Sequence, residues 1–197
     1  FAAAGHEVYA VDNYMRRIIS EATASEALYS TPNLSERVRV FKDLSGKVIT
    51  VEIGDLADPE IMLRIVRDFK PDCIIHYAEQ PSAPYSMRGF SEARYTFKNN
   101  LDVTFNILWA MIKHCPDAHL IKLGTMGEYG TPNIDIEEGW LDIEHKGRRD
   151  RFLFPRAAGS LYHTTKVLDT DLIWFYVRSY GLKVTDLMQG PVYGIST

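Results

Sequence analysis

The stretch Val48-Ile49-Thr50-Val51-Glu52-Ile53-Gly54-Asp55-Leu56, followed by Asp58-Pro59-Glu60 and then by Cys73-Ile74-Ile75-His76-Tyr77, decides the fold. Its β-branched run reads as a buried strand. The change to Ile61, Ile65, Val66 and Phe69, at three- and four-residue spacing, reads as an amphipathic helix. Asp58 is placed to cap that helix, Pro59 suits its first turn, and Glu60 lies where the helix dipole favours negative charge. Pro71 stops it, and a second strand follows at 73–77. Strand, helix and strand with short connections form a crossover unit. It predicts an α/β fold with a parallel, doubly wound, Rossmann-like sheet and right-handed connections.

On the N-terminal side, Phe1-Ala2-Ala3-Ala4-Gly5-His6 reads as a helix end with a glycine cap, and Glu7-Val8-Tyr9-Ala10-Val11 as a short buried strand. Asp12 and Asn13 follow at the carboxyl edge of the sheet, where ligands collect. A carboxylate there can accept both ribose hydroxyls of an adenine dinucleotide, or the pair can simply make a turn or an N-cap. Residues 15–29 read as helix, and 30–45 as loop with a short helix. On the C-terminal side, Ala78-Glu79-Gln80-Pro81-Ser82-Ala83-Pro84-Tyr85 is a loop at another strand end. A helix over 91–114 is expected to bury Leu101, Phe105, Leu108, Trp109 and Ile112. Asn99 and Asn100 sit inside it as poor helix formers; either they have a ligand to meet, or one is exposed and the other bonds a backbone carbonyl. Strands at 119–124 and 183–188 deliver Thr125 and Gln189 to the same edge, and 133–156 is a polar excursion suited to a hairpin or lid.

Tyr162-His163-Thr164-Thr165-Lys166 places a phenol and an ammonium one helical turn apart, on a helix that runs through Val167, Leu168, Leu172, Phe175 and Tyr176 to Gly181. A tyrosine titrates near 10 and becomes a base near neutrality only when a cation favours the phenolate. Lys166 is placed to supply that cation. The same spacing also suits an aromatic ring packed over a lysine stem.

Composition narrows the possibilities. The 197 residues are 46% hydrophobic and 24% charged, an ordinary globular balance for one domain. A net charge of -4 with interspersed signs gives no general attraction for nucleic acid or an anionic membrane. Cys73 and Cys115 lack metal spacing and read as reduced core thiols, and no metal site is expected. No apolar run nears the roughly 20 residues that span a bilayer, and no signal-like segment opens the chain, so a soluble, cytoplasmic protein is expected.

Taken in order, a strand ending in Asp12, one ending in Gly54-Asp55-Leu56, one leading to a small-residue loop, one ending in Thr125, and then Tyr162-x-x-x-Lys166 resemble the extended short-chain dehydrogenase/reductases, the nucleotide-sugar epimerases and dehydratases. Val11-Asp12-Asn13 with Arg16-Arg17, Pro84-Tyr85-Ser86-Met87, the long block from Lys122 through Thr125-Met126-Gly127-Glu128-Tyr129-Gly130 to Gly139, and Tyr162-His163 are similar to the UDP-sulfoquinovose synthases within that group. The resemblance implies a tightly held NAD, with Asp12 on the adenosine ribose, Asn13 and Arg17 nearby, Asp55 at the adenine, Asn99 along the cofactor, and Gln189 and Val192 near the nicotinamide. It implies UDP-glucose and sulfite as substrates and a homodimeric full-length protein. Tyr162, its pKa lowered by Lys166 and the nicotinamide, would take the 4-hydroxyl proton while Thr125 orients that hydroxyl, giving a 4-ketone whose 5-hydrogen is acidified. Water would then leave carbon 6 and sulfite would add.

Dehydratases carry an aspartate and a glutamate straight after the threonine, where Met126 and Gly127 stand here. Glu128 and His163 remain as carriers of protons at carbons 5 and 6, or as residues standing behind them. Three departures qualify the resemblance. The family's first strand and Gly-rich phosphate loop are not found before Phe1; its C-terminal substrate domain does not follow Thr197; and Pro81 stands where an arginine is usual. The expectation is a partial NAD-binding domain over 1–197, inactive alone. A UDP-sugar 4-epimerase needs only Thr125, Tyr162, Lys166 and NAD, and stays open beside the synthase, as does a non-catalytic nucleotide-binding module.

Overall fold

In the computed structural model, which describes residues 1–25, 30–137 and 139–192, the crossover expected at 48–77 is present. The end of the helix expected over 15–29, Glu138, and Tyr193-Gly194 lie outside the described residues. The order is β1 Tyr9–Asp12, α1 Met15–Thr23, α2 Leu34–Ser45, β2 Thr50–Ile53, α3 Pro59–Phe69, β3 Cys73–His76, α4 Ala83–Ser86, α5 Phe90–His114, β4 His119–Thr125, β5 Trp140–His145, β6 Arg148–Leu153, α6 Leu161–Tyr180 and β7 Lys183–Gln189. Short 3₁₀ turns cover Ala2–Ala4 and Met126–Glu128.

All pairings in the main sheet are parallel. β1 pairs with β2 from Tyr9↔Thr50 to Asp12↔Ile53, and β4 lies between β3 and β7, with Thr125 opposite Gln189 at the carboxyl end. β1 and β3 do not hydrogen-bond to each other, so the described strands form two ladders, β1-β2 and β3-β4-β7. The helix ends follow local chemistry. Asp58 accepts the Glu60 N–H at 2.9 Å to start α3, and Ser160 accepts the His163 N–H at 3.2 Å to start α6. Gly181, at φ 70°, closes α6 by donating to the Val177 carbonyl.

The core joins Met62 and Val66 of α3, Val103, Ile107, Leu108 and Met111 of α5, Leu120 of β4, and Ile173 and Tyr176 of α6. α5 packs against both α3 and α6.

Three expectations change. The short helix expected in 30–45 is the 12-residue α2, because Asn33 caps it through the Glu36 N–H and Gly46, at φ 67°, ends it. Phe105 and Trp109 are not core residues: they are 45% and 39% exposed, and both meet Tyr176 of α6 edge-on. Cys73 is exposed rather than buried, since it opens β3 on a strand edge that no other described strand pairs. The polar excursion is an antiparallel hairpin, β5-β6, turned by Lys146 and Gly147 at φ 51° and 74°. Among the described residues no helix is long and apolar enough to cross a membrane.

Candidate active site

The segment after β2 and the first turns of α5 shape a groove. Asp55, Ala57, Phe90, Arg94, Tyr95 and Asn99 line a cleft of about 390 Å³. Asn99 is buried and accepts from the Tyr95 hydroxyl at 3.3 Å. Burial, followed by the nearby Asp55 carboxylate, pushes the Tyr95 phenol up to about 12, while a hydrogen bond with Asn13 acts the other way. Asn13, Asp55 and Asn99 thus meet around one tyrosine. Tyr95 was not expected from sequence, although it stands one turn before Asn99 on α5.

Asp12 and Asn13 also do what a turn requires. Asp12 accepts the Tyr14 N–H at 2.7 Å through one oxygen, Asn13 accepts the Met15 N–H at 3.0 Å, and Asp12 is exposed. The second Asp12 oxygen is free for a ribose. Arg17, expected nearby, is turned to the Thr31 carbonyl at 2.8 Å and lies over the Tyr14 ring, so it holds the α1–α2 connection.

At the other end of the edge, β4, β7 and α6 bring the chemical residues together. Thr125 Oγ accepts the Gly127 N–H at 3.1 Å, which leaves its own proton to donate outward. Gln189 sits beside it in register, and Val192 lies just beyond, exposed. The His163 ring rests directly on Gly127: a Cβ built there would lie 2.5 Å from both Cδ2 and Nε2. Ser160 Oγ holds Nδ1 at 2.9 Å, and burial lowers the imidazole's pKa. The Tyr162 and His163 rings are 5.0 Å apart.

Beneath them lies a buried charge cluster. Lys166 Nζ is 5.8 Å from the Tyr162 ring centroid, yet 2.6 Å from the Glu79 carboxylate and 2.6 Å from the Leu123 carbonyl it donates to. Tyr162 therefore departs from expectation. Its pKa is raised, first by burial and then by the Glu79, Glu128 and Asp169 carboxyls.

Glu128 lies in the same cluster. It is fully buried, accepts from Thr170 at 3.2 Å and lies 3.8 Å from Lys122 and 3.5 Å from Arg156. Burial raises its pKa. Bound on both oxygens, it anchors the turn after β4 to α6 and to the strand end beyond the hairpin.

Asn100, read from sequence as half of an ambiguous pair, is fully buried and ties three segments. Its Oδ1 accepts from the Gln80 N–H at 2.8 Å, and its Nδ2 donates to Thr165 Oγ1 at 3.0 Å and to the Gln80 carbonyl at 3.3 Å. Glu79, His76, Lys122 and Asp169 were not expected at all. Lys122 alone gave a signal, a charge inside the apolar strand His119-Leu120-Ile121-Lys122-Leu123.

A parallel α/β sheet that brings a ribose-ready carboxylate, an adenosine-sized cleft and a Tyr-Lys helix to one edge defines a Rossmann-type nucleotide-binding protein. Residues 1–196 match the model of the NAD dependent epimerase/dehydratase family, and the chain belongs to that family. It is 44% identical to the chloroplastic UDP-sulfoquinovose synthase of Spinacia oleracea, over 98% of this chain and 40% of that one. It is 45% identical to the UDP-sulfoquinovose synthase of Sulfolobus acidocaldarius, over 100% of this chain and 50% of that one. The chain thus spans about half the length of the curated relatives it matches. Among solved structures, UDP-glucose 4-epimerase of Thermus thermophilus in complex with NAD superposes with a TM-score of 0.65 at 25% identity, over 98% of this chain and 50% of that one.

NAD is this family's cofactor. The residues present fit its two ends. Asp12 has an unengaged carboxylate oxygen for the adenosine ribose, and the Asp55–Asn99 cleft has both an apolar wall and polar groups for the adenine. Thr125, Tyr162 and Gln189 border the place the nicotinamide would take.

Proposed function

We propose that this chain carries the NAD-binding part of a UDP-sulfoquinovose synthase, which converts UDP-glucose and sulfite to UDP-sulfoquinovose through a 4-keto sugar. The observation that carries the reading is the His163 ring laid on Gly127, in the place where dehydratases bear an acidic side chain. Identity of 44–45% along the chain with two enzymes of that name supports it.

Bound NAD would supply the acceptor for the carbon-4 hydride and the donor that returns it after sulfite addition. The chain's own residues handle protons and orientation. Thr125 donates to the 4-hydroxyl oxygen, because its lone pair is committed to the Gly127 N–H. Tyr162 receives the 4-hydroxyl proton. His163, held at Nδ1 by Ser160 with Nε2 clear over Gly127, carries the protons exchanged at carbons 5 and 6. Glu128 and Lys122 fix the turn that presents Thr125.

Two further points belong to the same reading. The exposed aromatic stripe of α5 and α6 pairs two copies as a homodimer. A cytoplasmic, reducing setting suits free Cys73 and Cys115.

The test uses the intact protein with UDP-glucose, with and without sulfite, and follows the products by mass spectrometry. A UDP-sulfosugar formed only with sulfite is expected. UDP-galactose in both arms, with no sulfosugar, would replace the synthase with an epimerase.

A further inference from the structure

Tyr162 has a neighbour that the reaction above does not use. Glu79 follows the end of β3 with its side chain 3% exposed. Its close contacts are the Lys166 ammonium at 2.6 Å and the His76 Nε2 at 3.4 Å. We propose that Glu79 is a positioning residue for Tyr162: by holding the Lys166 ammonium against itself, it withholds that charge from the phenol and sets the pH range in which the phenol serves as a base. This rests on the reading of Tyr162 as the base.

The groups facing the phenol from each packed element are few. β3 supplies His76, which burial lowers to about 4, so it is neutral and gives Glu79 no countercharge. β4 supplies Lys122, which is shared between Asp186 of β7 at 3.5 Å and Glu128 at 3.8 Å. α6 supplies Asp169, whose two oxygens are buried without partners and whose pKa is raised well above the usual carboxylate range by burial and by Glu79. Both effects favour the neutral carboxyl of Asp169, so it opposes Lys166 less than Glu79 does. α5 contributes the uncharged Thr104, 3.1 Å from His76. The carboxylate in direct contact with Lys166 is Glu79, at 2.6 Å. A buried ion pair is a poor stabilising device, because desolvation offsets the attraction of its partners. Its effect on the neighbouring phenol gives it a use. Cancelling a cation beside a phenol moves the phenol's pKa upward, and freeing that cation moves it down by about one to three units.

The experiment uses the intact protein with NAD bound and compares Glu79→Gln with wild type. The near-ultraviolet phenolate signal is read from neutral pH to about pH 10, with Tyr162→Phe as the spectral blank. Circular dichroism reports folding. About tenfold more Tyr162 phenolate at a fixed pH, with the acid limb of the kcat profile for sugar oxidation moved down by about one unit, supports the proposal. Glu79→Asp, which keeps the charge, stays near wild type. If the glutamine variant does not fold, the apolar isostere Glu79→Met reads the same quantity. Phenolate that is unchanged or diminished in the folded neutral variant overturns the proposal. A phenolate shift with a stationary kcat profile upholds Glu79's control of Tyr162 and rejects Tyr162 as the base, so the two readings fail separately.

Discussion

At the scale of single residues the site is governed by what each atom is already bound to. Gly127 matters for what it lacks. The His163 ring fills the space a side chain would need, with Cδ2 and Nε2 each 2.5 Å from a Cβ built there. Real Cβ atoms do not approach so closely, so Gly127→Ala must push the imidazole off its place while Ser160 still holds Nδ1. Its effect falls on the residue proposed to carry protons, rather than on the fold. Positioned acid–base groups contribute about a hundredfold or more, so we expect kcat for sulfosugar formation to drop about a hundredfold in Gly127→Ala, with NAD affinity and thermal midpoint near wild type. Steady-state kinetics beside a cofactor titration checks it; an unchanged kcat would show that His163 does not work from this position. Glu128 makes the opposite point. Its spacing after Thr125 suggests chemistry, yet its full burial and its bonds to Thr170, Lys122 and Arg156 make it a fixture.

At the scale of elements the edge is assembled by side chains that tie one segment to another. Asn100 of α5 is the best example, joining the Gln80 backbone after β3 to Thr165 on α6, which in turn donates to the Tyr162 carbonyl at 2.7 Å. Asn100→Ala would strand the buried Gln80 N–H and the Gln80 carbonyl, while the Thr165 hydroxyl keeps the Tyr162 carbonyl. An unpaired buried polar group costs about 1–3 kcal/mol, so a loss of about 3 kcal/mol is expected, read as a lower urea midpoint at unchanged slope. A loss below about 1 kcal/mol would mean that water replaces the amide. The same contrast explains what was legible in the sequence. The Asp58 start of α3, the Gly181 end of α6 and the parallel pairing of the strands follow from local spacing and turn chemistry. The direction of Phe105 and Trp109, the pairing of Lys166 with Glu79 and the role of Asn100 do not. Each depends on residues far away in sequence: α5 carries apolar positions toward α3, toward α6 and outward, and periodicity alone cannot say which stripe stays uncovered. The Arg17 contact with the Thr31 carbonyl is of the same kind, since a long flexible side chain has partners that spacing does not reveal.

At the scale of the whole molecule the uncovered stripe is itself informative. Phe97, Phe105 and Trp109 on α5 are 47%, 45% and 39% exposed, and Phe175 on α6 is 49% exposed. They are continuous with a packed aromatic group: Phe105 and Trp109 lie 6.4 and 5.9 Å from Tyr176, and Trp109 lies 5.9 Å from Tyr180. Aromatic side chains gathered on one face of two packed helices form the sort of patch that monomeric proteins rarely leave wet. A second copy related by a two-fold axis would lay the same two helices against these, a self-complementary arrangement in which each patch covers the other. A stable interface of this kind buries about 800 Å² on each partner, within reach of two helices of 25 and 20 residues. Trp109 stands at the middle of the aromatic contacts, so a charge there would face its own copy across a desolvated surface. The intact protein is expected to be dimeric at micromolar concentration by multi-angle light scattering. Trp109→Glu should be a folded monomer, with Tyr180→Phe, which keeps the stack, remaining dimeric. A wild-type monomer at those concentrations, or a Trp109→Glu dimer, would rule out this face as the pairing surface.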